Sequence, residues 1–292
     1  MPSGDTFLND ITEGLDTVIA HARTTREYPA DVMLKVCDRQ TLTEGTGTGW
    51  REFLANALTA QNYGEEDDID APQQLDGSIL SATPQLVAIQ TFIGERVRMR
   101  LNSKAFATFG NLAQQAIQRK KDQDGLALFA SFSATAVSGT GQTLTSSNVM
   151  AAVRRITSNA TEPGPTPIMV VLHGYQIHDL QSEIIAGIGT YNIPVGYSEE
   201  TYKKGFIGKI QDAMVYEDGL ISINGTPDAR GAIFSKMGVL CVQGKSPWNE
   251  TRPEPSKGYG GVSVWHKDEY IWTERSAANW SIPCLSDATA PA

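Results

Sequence analysis

The sequence predicts an α+β fold in which one long helix and one long extended excursion precede a region of alternating helices and strands. Apolar residues recur at helical spacing over residues 103–132, which would form a helix of about 45 Å. β-favouring segments enclose an acidic stretch within residues 46–94, and helical and strand-like segments alternate after residue 145. A chain of 292 residues, 40% of them hydrophobic, can bury the core of such a fold.

Composition argues against several classes of protein. The net charge of −9 disfavours a broad basic face for duplex nucleic acid. No apolar run reaches the roughly 18 residues of a membrane-spanning helix, and the sequence does not open with a secretory signal. The three cysteines are far apart and never form a CxxC pair, so we expect buried thiols rather than a disulfide framework or a zinc site. We expect no cofactor, no membrane contact and no specific nucleic-acid binding.

The first 45 residues predict an arm that precedes the globular part. Residues 5–23 have apolar positions at helical spacing and Asp5 as a cap, so they predict an amphipathic helix. Residues 24–45 contain Pro29 and a Thr/Gly-rich stretch, and we expect them to be extended. Such an arm can dock either on its own domain or on a neighbouring chain.

Residues 46–94 predict the long excursion. One extended segment, 49–58, leads to a polar and acidic tip at 64–72, and a second segment, 86–93, returns from it. Residues 96–101 continue in strict alternation, with arginines on one face and apolar residues on the other, which is the pattern of a strand. Because a ten-residue strand spans about 33 Å, these arms would reach further than a local hairpin requires.

Charge in this part of the chain is segregated. Nine acidic residues and one arginine lie from Glu44 to Glu95, whereas seven basic residues and no acid lie from Arg96 to Lys121. We expect the acidic tip to dock on the basic segment, in the same chain or in a second copy; two solvated charged faces are the alternative. The predicted inter-subunit contact residues are Glu65, Glu66, Asp67, Asp68, Asp70, Arg96, Arg98, Arg100, Arg119, Lys120 and Lys121.

The remaining elements follow from periodicity and turn signals. Ser103 can cap the long helix, and Gly125 can bend it. A Ser/Thr/Ala/Gly-rich linker follows at 133–144. After it the pattern predicts a helix capped by Ser147, a buried strand at 168–172, a helix at 175–185, and strands at 210–216 and 220–223. The last part predicts a loop at 243–261 and a hairpin of 262–265 with 270–273 around Lys267-Asp268-Glu269.

One segment has the features of an enzyme strand. The apolar run Ile168–Leu172 ends in His173-Gly174, as does the oxyanion-hole strand of α/β-hydrolases. The Gly-x-Ser-x-Gly elbow that such an enzyme needs is absent, and the glycines at 45–49 and 139–141 match no phosphate-binding loop. The acidic tip lacks the ligand spacing of a calcium loop. We therefore expect no enzyme, with an α/β-hydrolase-like activity as the alternative from another class.

The order of elements resembles that of the Hong Kong 97-type major capsid proteins of tailed bacteriophages. Asp124-Gly125-Leu126-Ala127-Leu128-Phe129 resembles the acid-then-apolar end of that family's spine helix. Residues 205–215 resemble its G-x-x-G-x-h-x-G-x-x-V stretch, where h is apolar, and depart from it at Asp212. The resemblance implies an N-terminal arm at 1–45, an E-loop at 46–94, a P-domain at 95–144 and 262–292 with a spine helix at 103–132, and an A-domain at 145–261.

The resemblance also implies a function. It implies a structural virion protein that assembles in the bacterial host cytoplasm into the pentamers and hexamers of an icosahedral phage head enclosing the DNA genome. The implied partners are other copies of the chain, a portal and a decoration protein. Any scaffold that is used would be a separate protein, because the first 45 residues leave no room for a scaffolding segment. No lysine lies between Lys35 and Lys104, so this E-loop cannot supply the isopeptide lysine of some family members. An encapsulin-like compartment shell is the alternative within the same fold.

Overall fold

A computed structural model of the chain describes residues 30–43, 47–60, 62, 73–99, 103–187, 208–256, 260–276 and 279–291, with the backbone alone for 98, 103–109 and 184–187. The predicted helix at 5–23, the acidic residues at 65–70 and Arg100 lie outside these ranges.

Five helices and twelve strands form the described part of the chain. The helices are α1 Val32–Val36, α2 Glu95–Arg98, α3 Ser103–Ala127, which a 3-10 turn at Leu128–Ala130 continues, α4 Ser146–Thr157 and α5 Gly174–Gly187. The strands are β1 Asp38–Thr41, β2 Trp50–Ala55, β3 Gly77–Ala82, β4 Gln85–Gly94, β5 Ile168–Leu172, β6 Lys209–Ile210, β7 Ala213–Glu217, β8 Asp228–Ser235, β9 Val239–Gln243, β10 Trp248–Pro253, β11 Gly261–Glu274 and β12 Ser281–Asp287.

The first sheet is built around β11. This strand pairs antiparallel with β4 along one side, and with β10 and then β9 along the other. β1 adds to β9 in parallel. The long helix α3 contacts β11 and β4, so it covers part of one face of this sheet.

The second sheet has the strand order β12-β8-β5-β7-β6. All five residues of β5 are buried, as expected for a central apolar run. α4 contacts β8 and β12, and its Val149, Val153 and Ile156 are buried. The two sheets do not follow the expected domain boundaries, because β9 and β10 belong to the first sheet and β12 to the second.

Three apolar clusters hold these layers together. The largest joins both sheets to α1 and the end of α3, and includes Met33, Phe129, Phe234 and Trp272. The second packs α4 and α5 on the second sheet. The third is small and contains Ala82, at the end of β3, with Leu240 and Val242 of β9.

The excursion returns along a different strand from the predicted one. β2 pairs antiparallel with β3, from Trp50 opposite Ala82 to Ala55 opposite Gly77. The predicted returning arm at 86–93 forms β4 instead and pairs with β11. Two of its apolar residues are used inside the subunit: Val87 packs against the largest cluster, and Phe92 is buried.

The prediction of a strand beginning at Arg96 is wrong. β4 ends at Gly94, opposite Gly261, where β11 begins. The Glu95 N–H donates to the Gly260 carbonyl, and the chain then turns into α2, which buries Val97 and exposes Arg96. The residues that alternate at 96–98 therefore form one turn of helix, which begins where β4 loses its pairing partner β11.

A single strand replaces the hairpin predicted at 262–273. β11 continues through Lys267-Asp268-Glu269, and Asp268 is buried. Lys121 from α3 and Gln243 from β9 both donate to its carboxylate. A charged triplet favours a turn where water solvates its charges. Here neighbouring elements supply the hydrogen bonds of the buried Asp268 carboxylate instead. The predicted loop at 243–261 likewise contains β10, which pairs with β11.

Two special backbone positions also have clear reasons. α3 continues through Gly125, where a Cβ would lie 3.1 Å from Met33 Cβ and Trp272 Cε2, so this glycine allows close packing rather than a bend. Gln211 and Asp212 have φ of 50° and 64° in the two-residue turn between β6 and β7. Asp212 thus adopts the left-handed conformation that favours the glycine expected there, which Asp tolerates better than most residues.

Candidate assembly surface

The β2–β3 hairpin exposes apolar side chains. Phe53 and Ile79 lie directly opposite each other on one face, and they are 55% and 65% exposed. A two-stranded sheet is marginal in water unless it packs on something else. Further exposed leucines follow on both sides of the hairpin: Leu58 and Leu75. This apolar surface is the kind that a partner covers.

The two segments stay together beyond the strands. The Asn56 N–H donates to the Asp76 carbonyl over 2.9 Å, and the Thr59 N–H donates to Gln73 Oε1 over 2.8 Å. The hairpin therefore extends at least to residues 59 and 73, which flank the acidic segment.

The opposite end of the hairpin is fixed to the first sheet. Trp50 packs with Ala82 against Leu240 and Val242. Among the described residues of the hairpin, buried contacts of this kind lie at this end, and the exposed pair lies on the part that leads away from the core.

Arg275 anchors the base of the hairpin. Its side chain is 6% exposed; Nε lies 2.7 Å from Glu52 Oε2 and Nη2 lies 2.9 Å from Asp38 Oδ2. Nη1 donates to the Met237 carbonyl over 2.7 Å, and the guanidinium carbon lies 6.0 Å from the centre of the Trp50 ring. One buried cation thus ties β2 to β1 and to the end of β11.

Gly77 allows the Phe53 ring to lie across the hairpin. A Cβ at Gly77 would come within 2.6 Å of Phe53 Cζ and would also meet the Leu54 carbonyl. An aromatic ring that covers a strand glycine is a recognised way to stabilise such a pair. The contact with Gly77 therefore fixes the position of the exposed Phe53 ring.

The predicted basic residues have different environments. Arg96 is exposed on α2, and Arg98 follows in the same helix. Arg119 and Lys120 lie on α3, where Lys120 Nζ is 2.5 Å from Asp124 Oδ1. Their acidic counterparts lie outside the described residues, so the docking of the two sets stays a prediction.

Lys121 does not fit the predicted inter-subunit contact. It is 7% exposed, and its ammonium lies 3.1 Å from Asp268 Oδ2 and 4.7 Å from the centre of the Tyr270 ring. A cation that is already paired inside the subunit cannot also reach a neighbour, so we remove Lys121 from the contact set.

Comparison with known proteins gives a match in structure only. No family model matches the sequence, and no curated protein matches it. The structure superposes on a chain of Mycobacterium phage Che8 with a TM-score of 0.68 and 14% identity, over 92% of this chain and 96% of that one. It superposes on the capsid structure of Cyanophage P-SCSP1u with a TM-score of 0.69 and 10% identity, over 92% of each chain. The chain has the Hong Kong 97-type capsid fold.

The structure also matches a chain of an encapsulin complex. The holo-SrpI encapsulin complex of Synechococcus elongatus PCC 7942 contains a chain with a TM-score of 0.65 and 9% identity, matched over 95% of this chain and 98% of that one. Phage heads and encapsulins are thus both built on this fold.

His173 has a structural role in this capsid fold. The imidazole Nδ1 of His173 accepts the Tyr175 backbone N–H over 3.1 Å, and the backbone N–H of His173 donates to Gln176 Oε1 over 3.0 Å. Both bonds satisfy groups at the start of α5, where backbone donors lack partners within the helix. The His-Gly sequence after β5 is therefore a helix start.

Within the described ranges, no helix is long and apolar enough to cross a membrane, and no group of His, Cys, Asp and Glu could hold a metal ion. All three cysteines are buried free thiols, as the sequence predicted.

Phe53 and Ile79 were not singled out from the sequence as the exposed apolar pair. A signal was present, because residues 50–54 carry large apolar side chains on both faces of a short strand. A strand that is apolar on both faces is typically covered on both. Here Trp50 is covered by the subunit itself, and Phe53 is left for a partner.

Proposed function

We propose that this chain is the major capsid protein of a tailed bacteriophage and acts as a structural protein, not an enzyme. It would assemble with other copies into the pentamers and hexamers of an icosahedral head that encloses the DNA genome. The observation that supports this most strongly is an apolar hairpin that leads away from the subunit on a capsid fold.

We assign the hairpin to the E-loop, the first sheet with α3 to the P-domain, and the second sheet with α4 and α5 to the A-domain. This assignment moves β1, β4, β9 and β10 to the P-domain and β12 to the A-domain, in accord with their pairing.

The hairpin would stabilise the shell mainly by apolar burial. Covering Phe53 and Ile79 would contribute about 1.5–3 kcal/mol for each side chain. An exposed ion pair contributes only about 0–1 kcal/mol and is screened by salt. The same contact is repeated in every subunit of a closed shell, so a modest energy per hairpin is sufficient.

Charge would orient the hairpin rather than supply most of the affinity. The acidic residues Glu65, Glu66, Asp67, Asp68 and Asp70 would meet a neighbour's basic residues Arg96, Arg98, Arg100, Arg119 and Lys120. Reversing the first four acids to lysine should impair assembly without unfolding the subunit. Normal shells from that variant would exclude the charge contact.

Further partners follow from the same function. In the host cytoplasm the chain would assemble with a portal and with any scaffold that the phage supplies, and a decoration protein could cover the outer surface. No lysine lies between Lys35 and Lys104, so the hairpin would be held without an isopeptide bond from a lysine of its own.

The direct test is the double variant Phe53→Ser/Ile79→Ser. We expect at least about tenfold fewer particles than wild type in a sedimentation gradient, checked by negative-stain electron microscopy, with an unchanged unfolding midpoint of the free subunit. Met150→Ser, which removes an exposed apolar side chain on α4, is the matched control. Wild-type particle yield from the double variant would contradict the proposal.

An encapsulin-like shell is the second candidate, supported by the structural match to the SrpI encapsulin complex. The contents of natively purified particles separate the two. Double-stranded DNA of phage-genome length supports the phage head, whereas a single packaged enzyme supports the compartment.

A further inference from the structure

Two carboxyl groups are buried together where α3 meets the second sheet. Asp122 on α3 and Asp218, directly after β7, are both 0% exposed, and their carboxyl groups are neighbours that interact directly. Asp122 Oδ1 accepts the Met33 N–H over 2.9 Å, and Asp218 Oδ1 accepts the Leu220 N–H over 2.8 Å. The Oδ2 atom of each carboxyl is buried and finds no donor among the described residues.

Two ionised carboxylates are unfavourable in this position. Burial, followed by the contact with Asp218, raises the pKa of Asp122 to about 8, and burial raises the pKa of Asp218 as well. A single proton between the two Oδ2 atoms would remove one of the charges and give both orphaned atoms a partner.

The charged groups around the pair do not replace this proton. Asp31, before α1, adds negative charge. Burial lowers the pKa of His173, so this imidazole is neutral at the pH where the pair would lose its proton. Glu217 precedes Asp218 and is another acid, and Lys121, which precedes Asp122, is paired with Asp268.

We propose that Asp122 and Asp218 share one proton and form a pH-sensitive latch that joins α3 and α1 to the second sheet. The latch is closed while the proton is held. When it is lost, two adjacent carboxylates repel each other, and the attachment of α3 to the turn after β7 weakens. The Met33 amide loses protection at the same time, because it depends on the same carboxyl.

The sign of the pH effect follows from proton linkage. The unfolded chain loses these protons near pH 4, whereas the folded pair keeps one until about pH 8. The folded state therefore binds the extra proton between these values, and the stability that the latch contributes is lost as the pH rises through this window.

Asp122→Asn tests the latch, because its amide would donate a hydrogen to the Asp218 carboxylate without depending on a titratable proton. We would measure Tm of the unassembled subunit at pH 5.5 and pH 9. At each pH we subtract the Tm of the wild type from the Tm of the variant. This difference should be larger at pH 9 than at pH 5.5 by at least about 4 °C. Asp218→Asn should behave alike, whereas Asp76→Asn, at an exposed position, should show no such rise. Equal differences at both pH values for the two buried variants would overturn the proposal.

A second measurement covers the case in which neither buried variant folds. Infrared spectra of the chain carrying only Glu274→Gln, which removes another proton-retaining carboxyl, should show a protonated carboxylic acid band at pH 7 that disappears by pH 9.5. Amide exchange at Met33 should accelerate over the same range beyond the intrinsic effect of pH. The absence of this band at pH 7 would overturn the proposal.

Discussion

Lys121 and Asp268 form an ion pair inside the subunit, with Lys121 Nζ 3.1 Å from Asp268 Oδ2, between α3 and the middle of β11. Both side chains are almost fully buried. Gln243 also donates to the carboxylate. The pair therefore has two consequences. It allows β11 to continue through the charged triplet at residues 267–269, and it buries Lys121, the last lysine of the basic segment.

Lys121→Met should destabilise the subunit by about 3–5 kcal/mol, because it leaves the Asp268 carboxylate buried without its cation. Adding Asp268→Asn should recover at least half of this loss, since the amide oxygen can still accept from Gln243. Urea unfolding of the free subunit measures both changes. Additive losses in the double variant would contradict the pairing, and an unchanged stability in Lys121→Met would return this lysine to the surface contact.

Arg275→Met should loosen the base of the hairpin. The change leaves Glu52 and Asp38 without their shared cation, and we expect a loss of about 2–3 kcal/mol because the carboxylates are only partly buried. Hydrogen exchange of β2 should rise together with this loss. Lys267→Met is the control, because its partner Glu250 is exposed and solvent screens the pair, so that little stability should be lost. Similar losses in both variants would contradict the anchoring role of Arg275.

Glu274 should make the stability depend on pH. Burial raises the pKa of this carboxyl to about 7, and the Ser281 hydroxyl offsets the rise in part. Between about pH 4.5 and pH 7 the folded state holds a proton that the unfolded chain has lost, so the free energy of unfolding falls as the pH rises through this window. Glu274→Gln should therefore gain about 1–2 kcal/mol relative to wild type at pH 8 and nothing at pH 5.

Glu250→Gln is the control for this pH dependence. The Lys267 ammonium holds the pKa of Glu250 below its usual range, so this carboxyl stays ionised from pH 5 to pH 8. The difference from wild type should be the same at both ends of the range. If Glu274→Gln behaves in the same way, the raised pKa of Glu274 is contradicted.

Elements with a local signal were predicted well from the sequence. The long helix begins at Ser103 as expected, and β5 has the predicted bounds, because periodicity and an uninterrupted apolar run are visible within each segment. The buried thiols followed from spacing alone. Each of these features is determined by residues that lie close to one another in the sequence.

The errors concern partners that are distant in sequence. The segment 86–93 has the stronger β signal, yet β3 is the strand that pairs with β2, since β4 is taken by β11. Nothing near Asp268 indicates that a lysine 147 residues earlier supplies its counter-charge. In the assembly surface, the charge pattern drew attention to the basic segment, whereas the apolar pair of the hairpin became evident only from exposure in three dimensions.

Gly125 and Gly110 provide a matched pair within α3. A side chain at Gly125 would enter the contact between α3, Met33 and Trp272, where even a Cβ lies at 3.1 Å. Gly125→Leu should therefore lose about 2–3 kcal/mol by overpacking, in spite of the better helix propensity of leucine. Gly110 has no described atom within 4 Å of a built Cβ, so Gly110→Ala should gain about 0.5–1 kcal/mol.

The two substitutions distinguish a packing role from a bending role. If Gly125 served to bend α3, leucine there would alter the helix axis but would leave the indole of Trp272 in place. Packing predicts instead that the ring is displaced and that its Nε1 loses the 2.9 Å hydrogen bond to the Lys121 carbonyl. Trp272 fluorescence should then shift to longer wavelength in Gly125→Leu and stay unchanged in Gly110→Ala. An unshifted spectrum with wild-type stability in Gly125→Leu would show that the contact with Trp272 does not constrain this position.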